Sequence, residues 1–164
     1  MHSHAPVGYH CPFCLIASGV ESEDVLTRQS DVVYRDDILT AFIGSGQWPR
    51  NLGHVIIIPN SHFENIFDLP PELGEPIQRL AQAVAFAMKR EYRCEGISTR
   101  QHNEPAGNQD VWHYHLHVFP RFAGDELYTS ARRRMEIEER SKYAARLRAQ
   151  LGNRALSRLT NACS

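Results

Sequence analysis

The chain has 164 residues, 42% of them apolar, which suffices for one domain with a continuous core. Its 18 basic and 19 acidic residues leave a formal charge of -1, which excludes a chain-wide field suited to duplex nucleic acid or an anionic membrane. No apolar run approaches a membrane span, the amino terminus lacks a leader pattern, and the expected location is cytoplasmic.

In chain order, residues 1–10 read as a disordered tail that includes His2 and His4. Cys11-Pro12-Phe13-Cys14 then opens the folded part with a tight turn between two thiols. Val32-Val33-Tyr34 and Ile38 to Ile43 predict a hairpin around Arg35-Asp36-Asp37. Gly44 to Gly53 is a loop by its Gly and Pro content, and His54-Val55-Ile56-Ile57-Ile58 is a buried strand stopped by Pro59. Pro70-Pro71-Glu72 starts a long central helix whose apolar stripe is Ile77, Leu80, Ala81, Val84, Ala85 and Met88, with Gly96 as the stop. Ile97 to Gln101 is a weak strand, Asn103 to Asn108 a loop, and Val111 to Phe119 an alternating strand before Pro120. From Arg132 onward a charged helix is expected, with a break at Gly152. Strands joined by short turns around one long helix predict an α+β fold on a mainly antiparallel sheet.

Nine histidines are present, and His113, His115 and His117 alternate within one predicted strand. Residues two apart on a strand share a face, at about 3.3 Å rise per residue, so the outer two lie about 13 Å apart at Cα. One strand cannot easily bring three such rings onto one metal with nitrogen bonds of about 2.1 Å. A division of labour among metal ligation, nucleophilic attack and proton transfer is the more economical reading. Cys11 and Cys14 form a C-x-x-C that alone is compatible with a redox pair, a metal half-site or an accident, and Cys94 and Cys163 stand apart without a role.

His113-Tyr114-His115-Leu116-His117-Val118-Phe119-Pro120-Arg121 resembles the H-φ-H-φ-H-φ-φ signature of the histidine-triad (HIT) superfamily. Gly53-His54-Val55-Ile56-Ile57-Ile58-Pro59 is similar to that family's G-H-x-L-V-I-P strand, Tyr34 to Asp37 to its hairpin, and Cys11 to Cys14 to the C-x-F-C of a zinc-containing subset. The resemblance spans about Cys11 to Phe122. It implies a HIT domain over residues 11–125, followed by a helical extension over 126–164.

What the resemblance further implies is a nucleotide hydrolase or nucleotidyl transferase. It would act at the α-phosphate of phosphoramidates, mixed anhydrides or dinucleoside polyphosphates, with a purine nucleotide as substrate. His115 would be the nucleophile, and His117 and His54 would steady the phosphate. Gln109, Asn103, Asp110 and Arg121 would line the substrate site. Cys11, Cys14, His62 and His113 would hold a structural Zn2+, with no catalytic metal and a homodimeric assembly. Two departures stand out. Asp110 replaces a Ser or Thr hydroxyl, a carboxylate beside a phosphate that needs offsetting by a cation such as Arg121. Ile43 occupies the place of a ribose-binding Asp or Asn. Trp48 and Trp112 read equally as base-stacking or packing residues, and Arg132-Arg133-Arg134 as a solvated helix start or a polyphosphate contact. The rival classes are a non-catalytic nucleotide-binding or scaffold protein and a zinc-dependent hydrolase.

Overall fold

The computed structural model describes residues 3–23 and 25–160, with the backbone alone for 153–160. The elements run α1 (Pro12–Ala17), β1 (Val32–Arg35), β2 (Leu39–Ile43), β3 (Gly46–Gln47), β4 (Val55–Pro59), α2 (Gly74–Glu91), β5 (Gly96–Gln101), β6 (Leu116–Arg121), β7 (Arg133–Arg134) and α3 (Ile137–Thr160). This is the expected α+β fold. Five strands form an antiparallel sheet in the order β1-β2-β4-β6-β5, and β3 pairs with β7 in a separate ribbon.

Pleating sends alternate residues of the central strands to opposite faces, and both faces are covered, so β2 and β4 are buried at every position. Ala41, Ile43, Val55, Ile57 and Val118 face the two long helices, packing with Ile77, Leu80, Ala81, Val84, Ala87 and Met88 of α2 and with Ala144, Leu147 and Leu151 of α3. Phe42, Ile56 and Ile58 face the other way, onto Phe13 and Ile16 of α1. The α2 stripe uses Ala87 where the sequence pointed to Ala85, and Glu75 near its start with Lys89 and Arg90 near its end oppose the helix dipole.

Four local expectations are corrected. Cys11 to Cys14 is not a bare turn: Pro12 occupies the first helical position and the segment continues as α1. Arg132-Arg133-Arg134 does not start a helix, because Arg133 and Arg134 pair with Gln47 and Gly46. The C-terminal helix does not break at Gly152, since α3 runs on to Thr160. The regular strand expected over 111–119 begins only at Leu116. Upstream of it, the Tyr114 N–H donates to the Phe63 carbonyl (2.6 Å) and the Pro59 carbonyl accepts from the His113 ring (2.9 Å), so side chain and loop replace the ladder.

Residues 3–10, expected as a disordered tail, touch the fold: Ser3 Oγ and the His4 N–H both bond the Glu64 carboxylate, and the His4 ring stacks on Trp112. His2 and Cys163 lie outside the described residues.

Candidate functional site

Although His113 and His115 precede the ladder, the alternation survives. Tyr114 packs into the core shared with α2, whereas Phe13 of α1 meets His113 and His115 edge-on, with ring centroids 5.9 and 5.3 Å away. His117 lies opposite Ile56 in the β4–β6 register, and its ring centroid is 4.9 Å from that of His115. All three imidazoles therefore occupy the α1 face, and all are buried.

Their hydrogen bonds separate their roles. His115 Nδ1 lies 2.7 Å from the His113 carbonyl, so it carries the proton and donates it, leaving Nε2 with a free lone pair. Burial lowers the His115 pKa and keeps the ring neutral, although the Asp110 charge acts in the opposite sense. A neutral imidazole with an unprotonated Nε2 is the nucleophilic form.

His117 belongs to a different chain of contacts. The Gln47 amide donates to the Gly44 carbonyl (2.7 Å), its Nε2 lies 3.4 Å from His54 Nδ1, and its Oε1 accepts the His54 N–H (3.0 Å). With Nδ1 as acceptor, His54 Nε2–H donates to His117 Nδ1 (2.8 Å), so His117 must carry its own proton on Nε2. It is thereby set to donate to an oxyanion. Burial first, then the Arg100 charge, pulls His54 down to about 3, and His117 is lowered well below the usual histidine range by burial and then by His54. Gly44 is required here: a Cβ at that position would sit 2.6 Å from His54 Cε1.

A cavity of about 360 Å3 opens in front of these groups, lined by His54, His115, His117, Asp110, Trp48 and Arg132 to Arg134, with Leu26, Phe42, Ile56 and Val111 as apolar wall. Asp110 Oδ1 is 3.9 Å from His115 Nε2, and Asp110 Oδ2 is 2.9 Å from Arg132. The cation beside Asp110 is therefore Arg132 and not Arg121. Arg121 pairs with Asp125 (2.6 Å) and bonds Ser98, and it does not line the cavity.

Gln109 and Asn103 do not line it either. Gln109 ties Glu104, Glu64 and Val111 together, and Asn103 accepts from the Ile66 N–H, so both shape the loop before the triad. Trp48 lies against His54 and Phe119, while Trp112 stacks on His4 away from the cavity. Thr27 and Ser45 also line the cavity, and His102 sits 6.0 Å from His117 between ring centroids. No periodicity or motif in the sequence singles out these three; Gln47 likewise escapes a sequence reading because it lies in a Gly-rich loop.

On the other side of Phe13, one ligand-capable atom from each of Cys11, Cys14, His62 and His113 lies within 4.8 Å of the rest. Cys11 Sγ and Cys14 Sγ are 3.3 and 3.6 Å from His113 Nδ1, and Cys14 Sγ is 3.3 Å from His62 Nδ1. A tetrahedral ion with bonds of 2.0–2.3 Å needs donor separations of roughly 3.5 Å, so the set fits zinc. The His113 Nε2–H donates to the Pro59 carbonyl, fixing Nδ1 as the ligand nitrogen. Burial, then the neighbouring Cys11, pushes the Cys14 thiol up to about 12, and a divalent cation is what that thiol needs to ionise. The metal-capable cluster takes His113 from the triad and leaves His115 and His117 to the cavity.

The HIT domain model matches residues 26–124. The protein named "Protein hit" of Bacillus subtilis (strain 168) is 32% identical over 113 residues, 69% of this chain and 72% of that protein. The purine nucleoside phosphoramidase of Escherichia coli (strain K12) is 31% identical over 90 residues, 54% of this chain and 74% of that enzyme. A zinc-bound histidine triad family protein from Mycobacterium smegmatis superposes with a TM-score of 0.74 at 28% identity, covering 90% of this chain and 96% of that one.

Proposed function

The chain belongs to the HIT-domain family, and we propose that it transfers nucleoside monophosphate groups from a phosphoramidate, mixed anhydride or dinucleoside polyphosphate, through a nucleotide bonded to His115. The carrying observation is the pair of opposite tautomers in one cavity: an unprotonated Nε2 on His115 beside a His117 ring whose Nε2 carries a proton. His115 Nε2 attacks the α-phosphorus and the bond to the leaving group breaks; a phosphate departs as the anion, and an amine takes up a proton from solvent that the later hydrolysis returns. Water then breaks the phosphorus–nitrogen bond, releasing the nucleoside monophosphate and restoring neutral His115. His117, held by His54, donates to the non-bridging oxygens as charge gathers there. The apolar wall of Leu26, Phe42 and Ile56 suits a purine base. The phosphoramidase activity named for the Escherichia coli relative is in keeping with this chemistry.

Zn2+ held by Cys11, Cys14, His62 and His113 is structural in this reading, because four protein ligands complete its shell. The five-stranded sheet ends on β1 and β5, and in this reading a second copy of the chain covers one of these edges to form a homodimer. A second reading, nucleotide binding without turnover, is favoured by Asp110, whose carboxylate stands 3.9 Å from the nucleophilic nitrogen.

One experiment separates the two. The protein is incubated with adenosine 5′-phosphoramidate and with diadenosine polyphosphates, and acid-quenched samples are searched for a nucleotidylated peptide containing His115. AMP release that His115→Ala abolishes, with the adduct trapped in the parent protein, supports the enzyme. Tight AMP binding with neither adduct nor turnover assigns the chain to the non-catalytic class.

A further inference from the structure

We propose that Arg132, which lies beyond the HIT-matching segment, is a phosphate-binding residue of this cavity, and that Asp110 is its internal counter-ion in the absence of ligand. The inference rests on the cavity being a nucleotide site, as read above, but not on turnover.

The Asp110 carboxylate bridges two groups, with Oδ1 3.9 Å from His115 Nε2 and Oδ2 2.9 Å from the Arg132 guanidinium. A phosphoryl group placed in line with His115 Nε2 has to bring its non-bridging oxygens into that same space. Two anions cannot share it, and only one of them is supplied by the chain. The Asp110–Arg132 pair is also the exchangeable kind: the side chains are 48% and 57% exposed, so water screens the attraction and a more highly charged oxyanion can take the carboxylate's place.

The position of Arg132 is built and not accidental. Arg132 immediately precedes β7, which is paired to β3 through Gly46 with Arg134 and Gln47 with Arg133, and the Met135 N–H donates to the Ser45 carbonyl (3.0 Å). Gly46 lets the arginine stem lie flat, since a Cβ there would meet Arg132 Cδ at 3.2 Å. Gln47 of the same ribbon orients His54. One two-stranded ribbon therefore sets both the histidine pair and the guanidinium against a common cavity. Three arginine residues, Arg132 to Arg134, are among those lining the cavity, and Asp110 is the one carboxylate residue there, so the charge of the lining residues stays positive after Asp110 is counted.

The competing explanation is that the ion pair merely ties the ribbon to the loop of Asp110. A double-mutant comparison distinguishes the two by calorimetric titration of AMP and of adenosine into the parent protein, Asp110→Asn, Arg132→Gln and the double variant. If Arg132 binds phosphate, Asp110→Asn tightens AMP by several-fold. Adding Arg132→Gln to that background then weakens AMP about tenfold while adenosine changes less than twofold. Arg132→Lys on the same background recovers part of the loss. A tie between loop and ribbon is already broken in Asp110→Asn, so under that explanation the second substitution changes nothing. Equal AMP affinity in Asp110→Asn and the double variant, or a matching loss for adenosine, overturns the proposal, as does absence of AMP binding in all four proteins. AMP binding with this pattern but without turnover sustains it while removing the enzymatic reading.

Discussion

The proton on His115 Nδ1 is held by the carbonyl of His113, 2.7 Å away, so the residue whose side chain joins the cysteine cluster also fixes, through its backbone, the tautomer of its neighbour but one. Phe13 reinforces the coupling from α1, which begins immediately after Cys11 and places that ring edge-on to both histidines. Removing the metal should therefore reach the cavity. We expect one zinc per chain in the purified protein. Cys11→Ser or prolonged chelation should lower stability by about 3 kcal/mol, roughly 6–12 °C in Tm for a domain of this size, and reduce phosphoramidate turnover in parallel. Metal content, thermal unfolding and initial rates measured on the same samples test this, and full activity in zinc-free protein that melts at the parent temperature contradicts it.

Gly44 is the tightest point around the histidine pair. A methyl at this position would lie 2.6 Å from His54 Cε1 and 3.0 Å from its Nδ1, and His54 is walled in by Trp48 and Phe119, so the ring has to move. Its 2.8 Å bond to His117 is the first casualty. Gly44→Ala should cost about 1–3 kcal/mol of stability, the usual range for overpacking, and lower kcat on the order of 100-fold with little change in AMP affinity. Chemical denaturation and steady-state kinetics check the two parts separately. A variant with parent kcat would show that the His54 contact does not position His117.

Burial of neutral histidines makes stability depend on pH in a definite sense. His54 is held down to about 3, whereas a histidine in the unfolded chain titrates near 6.5. Between those values the unfolded state holds a proton that the folded state lacks, so stability is complete above pH 6.5 and declines as pH falls toward 3. His54 alone should contribute a loss of about 2 kcal/mol between pH 7 and pH 5. Urea midpoints across this interval should fall more steeply for the parent than for His54→Gln, which has no proton to gain. Parallel slopes would locate the acid sensitivity elsewhere.

The fold and the separation of metal from cavity were legible because each rests on local order. Alternation placed His113, His115 and His117 on one face and spacing argued for a division of labour among them; it was the resemblance that implied His113 as the one set apart, and a metal-capable cluster with Cys11, Cys14 and His62 is in keeping with it. Long-range pairing was not legible. Nothing local to Arg132 announces that β7 will cross back to β3, so the arginine run read as a helix start and Arg121 stood in for it beside Asp110. Gln109 and Asn103 are polar residues close to the triad in sequence, but backbone groups of Glu104 and of Glu64 and Ile66 in the segment after β4 absorb their hydrogen bonds.

Asp31 and Arg140 carry another long-range connection, between the turn before β1 and the first turns of α3. Their charges meet at 3.0 Å with side chains 0% and 1% exposed, and Arg140 also donates to the Leu26 carbonyl (2.7 Å), next to the cavity wall. Both charges are out of water, so deleting either leaves the other stranded, whereas deleting both relieves the penalty. Asp31→Asn and Arg140→Met should each lose about 3–5 kcal/mol, and the double variant markedly less than the sum. Because Leu26 hangs from this pair, AMP affinity should weaken in Arg140→Met even at temperatures where the variant remains folded. Additive losses in denaturation, or an unaltered AMP affinity, would mean that α3 holds the core without reaching the site.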